Sequence, residues 1–426
     1  MMTSSPIPPH HAFAFLHLPG ETAPVVCGRF EQRGHGRDII GLFTYGRSFL
    51  GRSNAVPIAP IGLPLIEGTA PPTAKLGGIH GALRDASPDA WGRRVIEYAR
   101  GERAELTELE YLLAAGDDRT GALVFGVTPS APASARHQHH AVSLPDLLHA
   151  AELLEADGPI TPEAQHAAEL LLHGVTMGGA RPKAAIIDDD RMWLAKFPSR
   201  SDRVNLAAVE AGLLTLAERC GLRVPAHRTV RVGGKPVLLV ERFDRSGSPS
   251  APLRARYLSG LTLMDAEELP SRDWSYLRLA EELRRRSAAP DEDCRELFAR
   301  AAFNALVSNG DDHPRNHAII AWGRDDWRLS PLFDVVPTEP ATSRERRLAL
   351  IAGRYGRAAT RANLVSEAAV FRMAPDEAHA RIDDIQVTLR GEWDNAMRQH
   401  GASAADLAAT RHAIVPDGFE DVPTVG

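Results

Sequence analysis

Residues 308 to 320, "SNGDDHPRNHAII", set two adjacent acids, two amides and two histidines between the apolar runs "ELFARAAFNALV" and "AIIAW". Burying Asp311, Asp312 and Asn316 is costly unless each finds a charge, a metal or a hydrogen-bond partner. Gly310 and Pro314 keep the segment from forming regular helix. Downstream, "HAIIAW", "GRDD" and "WRLSPLFD" read as a hairpin ending at Asp334. Acid, amide five positions later, hairpin and second acid is the order used by phosphotransferases of the protein-kinase type. There the first Asp orients the attacking hydroxyl and accepts its proton. The Asn and the second Asp supply hard oxygen ligands for Mg²⁺. Many loops match the five-residue spacing by chance, and the hairpin with its terminal acid is what makes the pattern informative.

Such chemistry needs elements that hold a nucleotide, and the chain offers them upstream in order. "HGVTMGGARPKAAIIDDDRMWLAKF" contains a glycine loop opening into a strand. Gly178 and Gly179 let backbone N–H groups approach phosphate closely, with Lys183 just beyond. Lys196, on the second strand of the hairpin, reaches the α- and β-phosphates, and Glu210 on the next helix is the carboxylate to hold it. "LLVERFDR" ends a strand at a linker where backbone near Glu241 and Phe243 contacts adenine. Taken singly, the glycines are a plain turn, the lysine a solvated one and Glu210 a helix-face residue. His313 and His317 could ligate a metal with Asp312, but histidines in a loop more often serve as hydrogen-bonding residues. The acidic "GDDRTG" at 116 to 121 imitates the cluster without an amide or hairpin acid and reads as a turn. Order and spacing together outweigh these separate readings.

At 426 residues the chain has room for two or three domains or one large bilobal one. Hydrophobic residues make up 44% and charged residues 24%, the composition of a soluble mixed α and β protein. A formal charge of −6 gives no global pull towards nucleic acid or anionic membrane. Cys27, Cys220 and Cys294 lack CxxC spacing, which fits unpaired thiols in a reducing compartment and argues against a Cys-based zinc site. No apolar run is long enough to span a membrane, and the first residues lack a basic n-region, so the expected location is the cytoplasm.

Short strands are expected between Ala12 and Leu50, followed by a proline-rich connector. "ASPDAWGRRVIEYARGERAELTELEYLLAAG" predicts two helices, the first capped by Ser87 with Pro88 at its first position. A polar linker at 128 to 141 marks the main internal boundary. Two helices follow it, then strands over 182 to 197, the helix "NLAAVEAGLLTLAERCG", and the strands "RTVRVGG" and "KPVLLVERFD". From Ala266 onwards helix predominates. "RERRLALIAGRYGRAATR" (344 to 361) carries six arginines and reads as a solvated helix face, or as a contact for an acidic partner, tRNA or operator DNA.

These residues resemble the HipA-type serine/threonine kinases of bacterial toxin–antitoxin modules, from about residue 30 to residue 375. "SPDAWGR" and "GDDRTGALVF" resemble stretches of that family's N-terminal subdomain. "GGARPKAAI" is similar to its phosphate loop, "AKF" to its nucleotide lysine, "VERFDR" to its hinge, "DDHPRN" to its catalytic loop and "LFD" to its metal-binding aspartate. The resemblance implies an α+β, bilobal protein-kinase-like fold: a HipA-type N-terminal subdomain (12–130), a nucleotide-binding part of the N-lobe (142–244) and a mainly helical C-terminal lobe (245–412). It implies Asp311 as catalytic base and Asn316 and Asp334 as magnesium ligands. ATP would be surrounded by Gly178, Gly179, Ala180, Arg181, Pro182, Lys183, Lys196, Glu241, Arg242, Phe243, His313, Pro314, Arg315, Asn316, Phe333 and Asp334.

The family's autophosphorylated serine is replaced here by Thr176, and Asp312 stands where better-known members have glycine. Phosphate on Thr176 would disfavour ATP by repulsion. Implied partners are ATP with Mg²⁺, a protein substrate such as a translation factor or an aminoacyl-tRNA synthetase, and a helix-turn-helix antitoxin that brings DNA. The alternatives are a small-molecule phosphotransferase of the aminoglycoside type and a DNA- or antitoxin-associated binding protein with little catalysis.

Overall fold

Apolar and small residues in "HAFAFLH" bury Ala12, Ala14, Phe15 and Leu16 along one extended segment, as a strand with a covered face requires. It is β1 (His11–His17), and it lies inside a four-stranded sheet with β2 (Pro24–Arg33), β3 (Ile40–Tyr45) and β4 (Leu123–Gly126) in the order β3-β2-β1-β4. The β1–β2 and β1–β4 pairs are antiparallel, with a register shift between Ala14 and Phe15. The computed structural model describes residues 10–34, 36–101, 106–132, 142–156, 158–172, 179–338 and 346–422. It divides into two compact units: Met1–Met192 with Asp244–Leu258 and Trp322–Arg324, and Trp193–Phe243 with Ser259–Ala321 and Asp325–Gly426.

In the first unit the helix Ala90–Arg100 starts at Asp89 rather than at Ser87. Asp89 Oδ1 accepts from the Gly92 amide at 2.7 Å. The Ser87 hydroxyl, two residues too early for that bond, donates to Glu108 instead. Gly101 ends the helix at φ 77°, the left-handed conformation that suits a C-cap glycine. The second predicted helix, Glu108–Ala114, begins with a capping box between Thr107 and Glu110. Further on come Leu144–Glu155, Pro162–Leu171 and strand β5 (Lys183–Asp188). Asp189 and Asp190, both at positive φ, turn the chain into β6 (Arg191–Lys196).

In the second unit the β6 residues Trp193–Lys196 pair with β8 (Lys235–Glu241), and β8 pairs with β7 (His227–Val232). Ala211 and Leu214 of the helix Leu206–Arg219 form a buried cluster with Leu238 and Val240 of β8. The remaining helices of this unit include Tyr276–Arg286, Pro290–Leu306 and Pro375–Gln399. The arginine-rich stretch is not a helix face. Of its described part, 346–361, residues 346–360 are irregular, with bridges Arg347↔Ala358 and Gly353↔Gly356, and Arg361 opens a short helix. The buried Asn363 amide organises the stretch, accepting from Tyr355 N and donating to Gly356 O and Ala358 O. Among the described residues its arginines are already engaged at several points: Arg346 with Ser308 and His412, Arg354 with Glu367, Arg357 with Ser271, and Arg361 with Glu420. All three cysteines are buried free thiols. Among the described residues no helix is long and apolar enough to cross a membrane.

Candidate active site

Strand β6 delivers Lys196 to two carboxylates. Its Nζ lies 2.6 Å from Glu210 Oε1 and 2.8 Å from Asp334 Oδ1. Burial works against the lysine's charge, but the Asp334 and Glu210 carboxylates outweigh it and raise its pKa. Glu210 comes from the middle of the Leu206–Arg219 helix, which Asn205 caps by accepting from Ala208 N. Asp334 follows the antiparallel hairpin of Ala318–Ala321 and Arg328–Leu329 and takes φ 60°, uncommon for a residue other than glycine. Phe333, beside it, meets Phe243, just past the end of β8, as a tilted ring pair with centroids 5.3 Å apart. Arg242 is buried, and Glu241 is held in β8 opposite Trp193.

The opening stretch is a tight loop after the helix Pro290–Leu306. His313 N donates to Asp311 O at 2.7 Å, and Asn316 N to His313 O at 2.9 Å, around a 3₁₀ turn at Pro314–Asn316. Asn316 Nδ2 donates back to Asp311 O at 3.3 Å. The Asp311 side chain reaches solvent. Its pKa is nonetheless raised, by partial burial of the carboxyl first and then by the Asp334 and Asp312 carboxylates, with His313 opposing. Arg315 points away to Glu268 at 2.6 Å. Asp312 and His317 bond to each other rather than being set out with His313 as metal ligands. Asp312 is fully buried and bonded to Tyr276 and His317, because those two donors lie on its inner side.

In the first unit, Thr176 and Gly178, expected at a phosphate loop, lie outside the described residues. Gly179, Ala180 and Arg181 lead to the buried Pro182 and Lys183. Lys183 is not a solvated lysine: its Nζ lies 2.7 Å from Asp89 Oδ2 and 3.0 Å from Gly179 O, with 2% of its side chain exposed. Trp91 Nε1 donates to Lys183 O at 3.1 Å. One aspartate thus caps a helix with one oxygen and holds the loop lysine with the other. Asp89→Ala is expected to cost about 3 kcal/mol, the low end for a stranded buried charge, because Gly179 O still accepts. Asp89→Asn, which keeps the cap, should cost less. Denaturant unfolding followed by tryptophan fluorescence distinguishes the two.

Sequence reasoning gave Asp89 no role of its own, although it lies within the quoted "SPDAWGR". It also read "GDDRTG" as no more than a turn. Arg119 of that turn is wholly buried and donates to the carbonyls of Ala86, Leu112 and Ala115. Gly121 N donates to Asp244 Oδ2 at 2.8 Å, and Arg245 bridges Asp244 and Gly121 O. Arg254 donates to Asp117 O at 2.6 Å. These buried polar bonds tie the turn to residues 244–254 within the first unit.

Residues 175–393, more than half of the chain, match the HipA-like C-terminal domain, and residues 25–126 match the HipA N-terminal domain. The candidate kinase Y4mE of Sinorhizobium fredii (strain NBRC 101917 / NGR234) is 29% identical over 163 residues, which cover 34% of this chain and 34% of that protein. The chain therefore matches about a third of the length of this curated relative. A solved complex of Shewanella oneidensis MR-1 HipA with HipB and operator DNA is 16% identical, with a TM-score of 0.67 over 96% of this chain and 100% of that chain. At that identity the likeness establishes the fold, which is kinase-like. On its domain matches, the chain belongs to the HipA family.

Proposed function

We propose that this protein is an ATP- and Mg²⁺-dependent serine/threonine protein kinase of the toxin–antitoxin type. The observation that carries the reading is Lys196 held between Glu210 and Asp334, in the chain order a nucleotide lysine, its helix carboxylate and a metal aspartate require. The donor set fits a hard divalent cation. Asn316 and Asp334 offer hard oxygen ligands of the kind Mg²⁺ takes. No group of three or more His, Cys, Asp or Glu side chains is arranged to hold a metal among the described residues. The other ligands would therefore be phosphates and water, the usual pattern for Mg²⁺. Held there by Asn316 and Asp334, the ion would supply positive charge to offset that of the nucleotide phosphates.

Asp311 would orient the acceptor hydroxyl and take its proton. Lys196 would exchange its Asp334 contact for phosphate oxygens while keeping Glu210. Phe243 and Phe333, already in ring contact, would flank the nucleotide at the hinge. Thr176 is the proposed autophosphorylation site, and a DNA-binding antitoxin of the HipB kind is the proposed partner. The direct test incubates purified protein with γ-labelled ATP, with Mg²⁺ or with EDTA. Label that enters protein only with Mg²⁺ and disappears in Thr176→Ala supports both proposals. Label found only on added small molecules would replace the protein-kinase reading with a small-molecule one.

A further inference from the structure

Asp312 stands next to the exposed Asp311 but has no accessible surface, and the reaction proposed above gives it no direct part. Its Oδ2 accepts from His317 Nε2 at 2.7 Å and from the Tyr276 hydroxyl. Asn304 Nδ2 donates to the Tyr276 oxygen at 3.4 Å, and Asn309 Nδ2 to Asn304 Oδ1 at 3.1 Å. The Tyr276 and His317 rings meet edge to face at 5.4 Å. His317 O accepts from Gly260 N at 2.7 Å. A Cβ on Gly260 would come within 2.7 Å of Pro314 O, so a glycine is what lets the 260–263 helix start lie against this loop.

The spacing is what gives this cluster a consequence. Asn316 Nδ2 links back to Asp311 O across five residues, and His317 links to Asp312 across the next five. Two parallel rungs therefore close the loop. The buried rung is bolted to the helix Tyr276–Arg286, and the outer rung carries the proposed base and metal ligand. Burial and the neighbouring Asp312 charge push the Tyr276 pKa well up, so the phenol stays a donor.

We propose that Asp312, acting with His317 and Tyr276, is the positioning residue that fixes the distance and direction of Asp311 relative to Asn316. This rests on the phosphotransfer reading. Misplacing a reacting group by about 1 Å can cost on the order of 100-fold in rate. The bonds that reach the Asp311 carbonyl, from His313 N and Asn316 Nδ2, both come from within the loop.

The test measures phosphotransfer well below the melting temperature for wild type, Asp312→Asn, Tyr276→Phe, His317→Leu and His317→Gln. Asp293→Asn serves as control, because Asp293 is equally buried in the same unit but bonded to Arg223, Arg328 and Ser287. The expected result is a kcat lower by about 10- to 100-fold in the first three variants. KM for ATP should change by less than about threefold, the signature of a lost transition-state arrangement. His317→Gln, which keeps a donor, should recover most of the rate. Amide hydrogen exchange across 308–318 should quicken in Asp312→Asn but not in Asp293→Asn.

A kcat loss in Asp293→Asn equal to that in Asp312→Asn overturns the proposal in favour of a merely structural charge. So does unchanged exchange across the loop. Absence of phosphotransfer from wild type overturns the kinase reading and the catalytic consequence with it. Exchange, which needs no activity, then still decides whether the loop is tethered.

Discussion

Asp311→Asn is expected to lower phosphotransfer by about 10²- to 10⁴-fold, the range for loss of a positioned general base, while leaving the fold at least as stable. The second half of that expectation separates a working residue from a structural one. The Asp311 pKa is raised in the folded protein by partial burial and by Asp334 and Asp312, against His313. A raised carboxyl pKa means that the folded state binds the proton more tightly than the unfolded one. Stability is therefore lost as pH rises from the ordinary value of 3.8 through the folded value. At neutral pH the asparagine removes that penalty. Thermal unfolding should show an equal or higher Tm for Asp311→Asn at pH 7, with the difference vanishing below the ordinary carboxyl range. A lower Tm at pH 7, or unaltered phosphotransfer, would show that Asp311 belongs to the scaffold.

The contrast between Asp311 and Asp312 shows where the sequence stops being legible. The hairpin to Asp334 was readable because its apolar runs alternate around a charged turn, and the Lys196–Glu210 pair because chain order constrains it. Nothing local distinguishes two adjacent aspartates. Which one turns inward is decided by Tyr276, more than thirty residues earlier, and by His317. Lys183 is a similar case, since its partner Asp89 lies 94 residues upstream and two capping residues compete for one helix start. The stretch 346–360 has the Leu, Ala and Arg content of a helix, yet the buried Asn363 amide holds its backbone in bridges and turns. In each case a distant polar partner overrides a local preference, and pattern reading does not carry that information.

Lys196→Met should abolish phosphotransfer and also destabilise the second unit, and the combination reports on how the site is built. Methionine keeps the apolar stem that β6 packs, so the change is almost purely one of charge. It leaves the carboxylates of Glu210 and Asp334, whose side chains are 8% and 32% exposed, beside each other without a cation. Stranding one partner of a buried pair costs about 3–5 kcal/mol. The lower end is expected here because water reaches Asp334. Adding Glu210→Gln removes one of the two facing negative charges. The double variant should therefore be more stable than Lys196→Met alone, with a coupling of about 0.5–3 kcal/mol. Phosphotransfer should stay lost in both, since the proposed phosphate contact is the ammonium itself. Urea unfolding of the four proteins in this cycle measures the coupling, and labelled ATP measures the rate. Additive stabilities would mean that Lys196 and Glu210 do not act as a pair. Recovery of phosphotransfer in the double variant would mean that the lysine serves only to neutralise Glu210 and never meets the nucleotide.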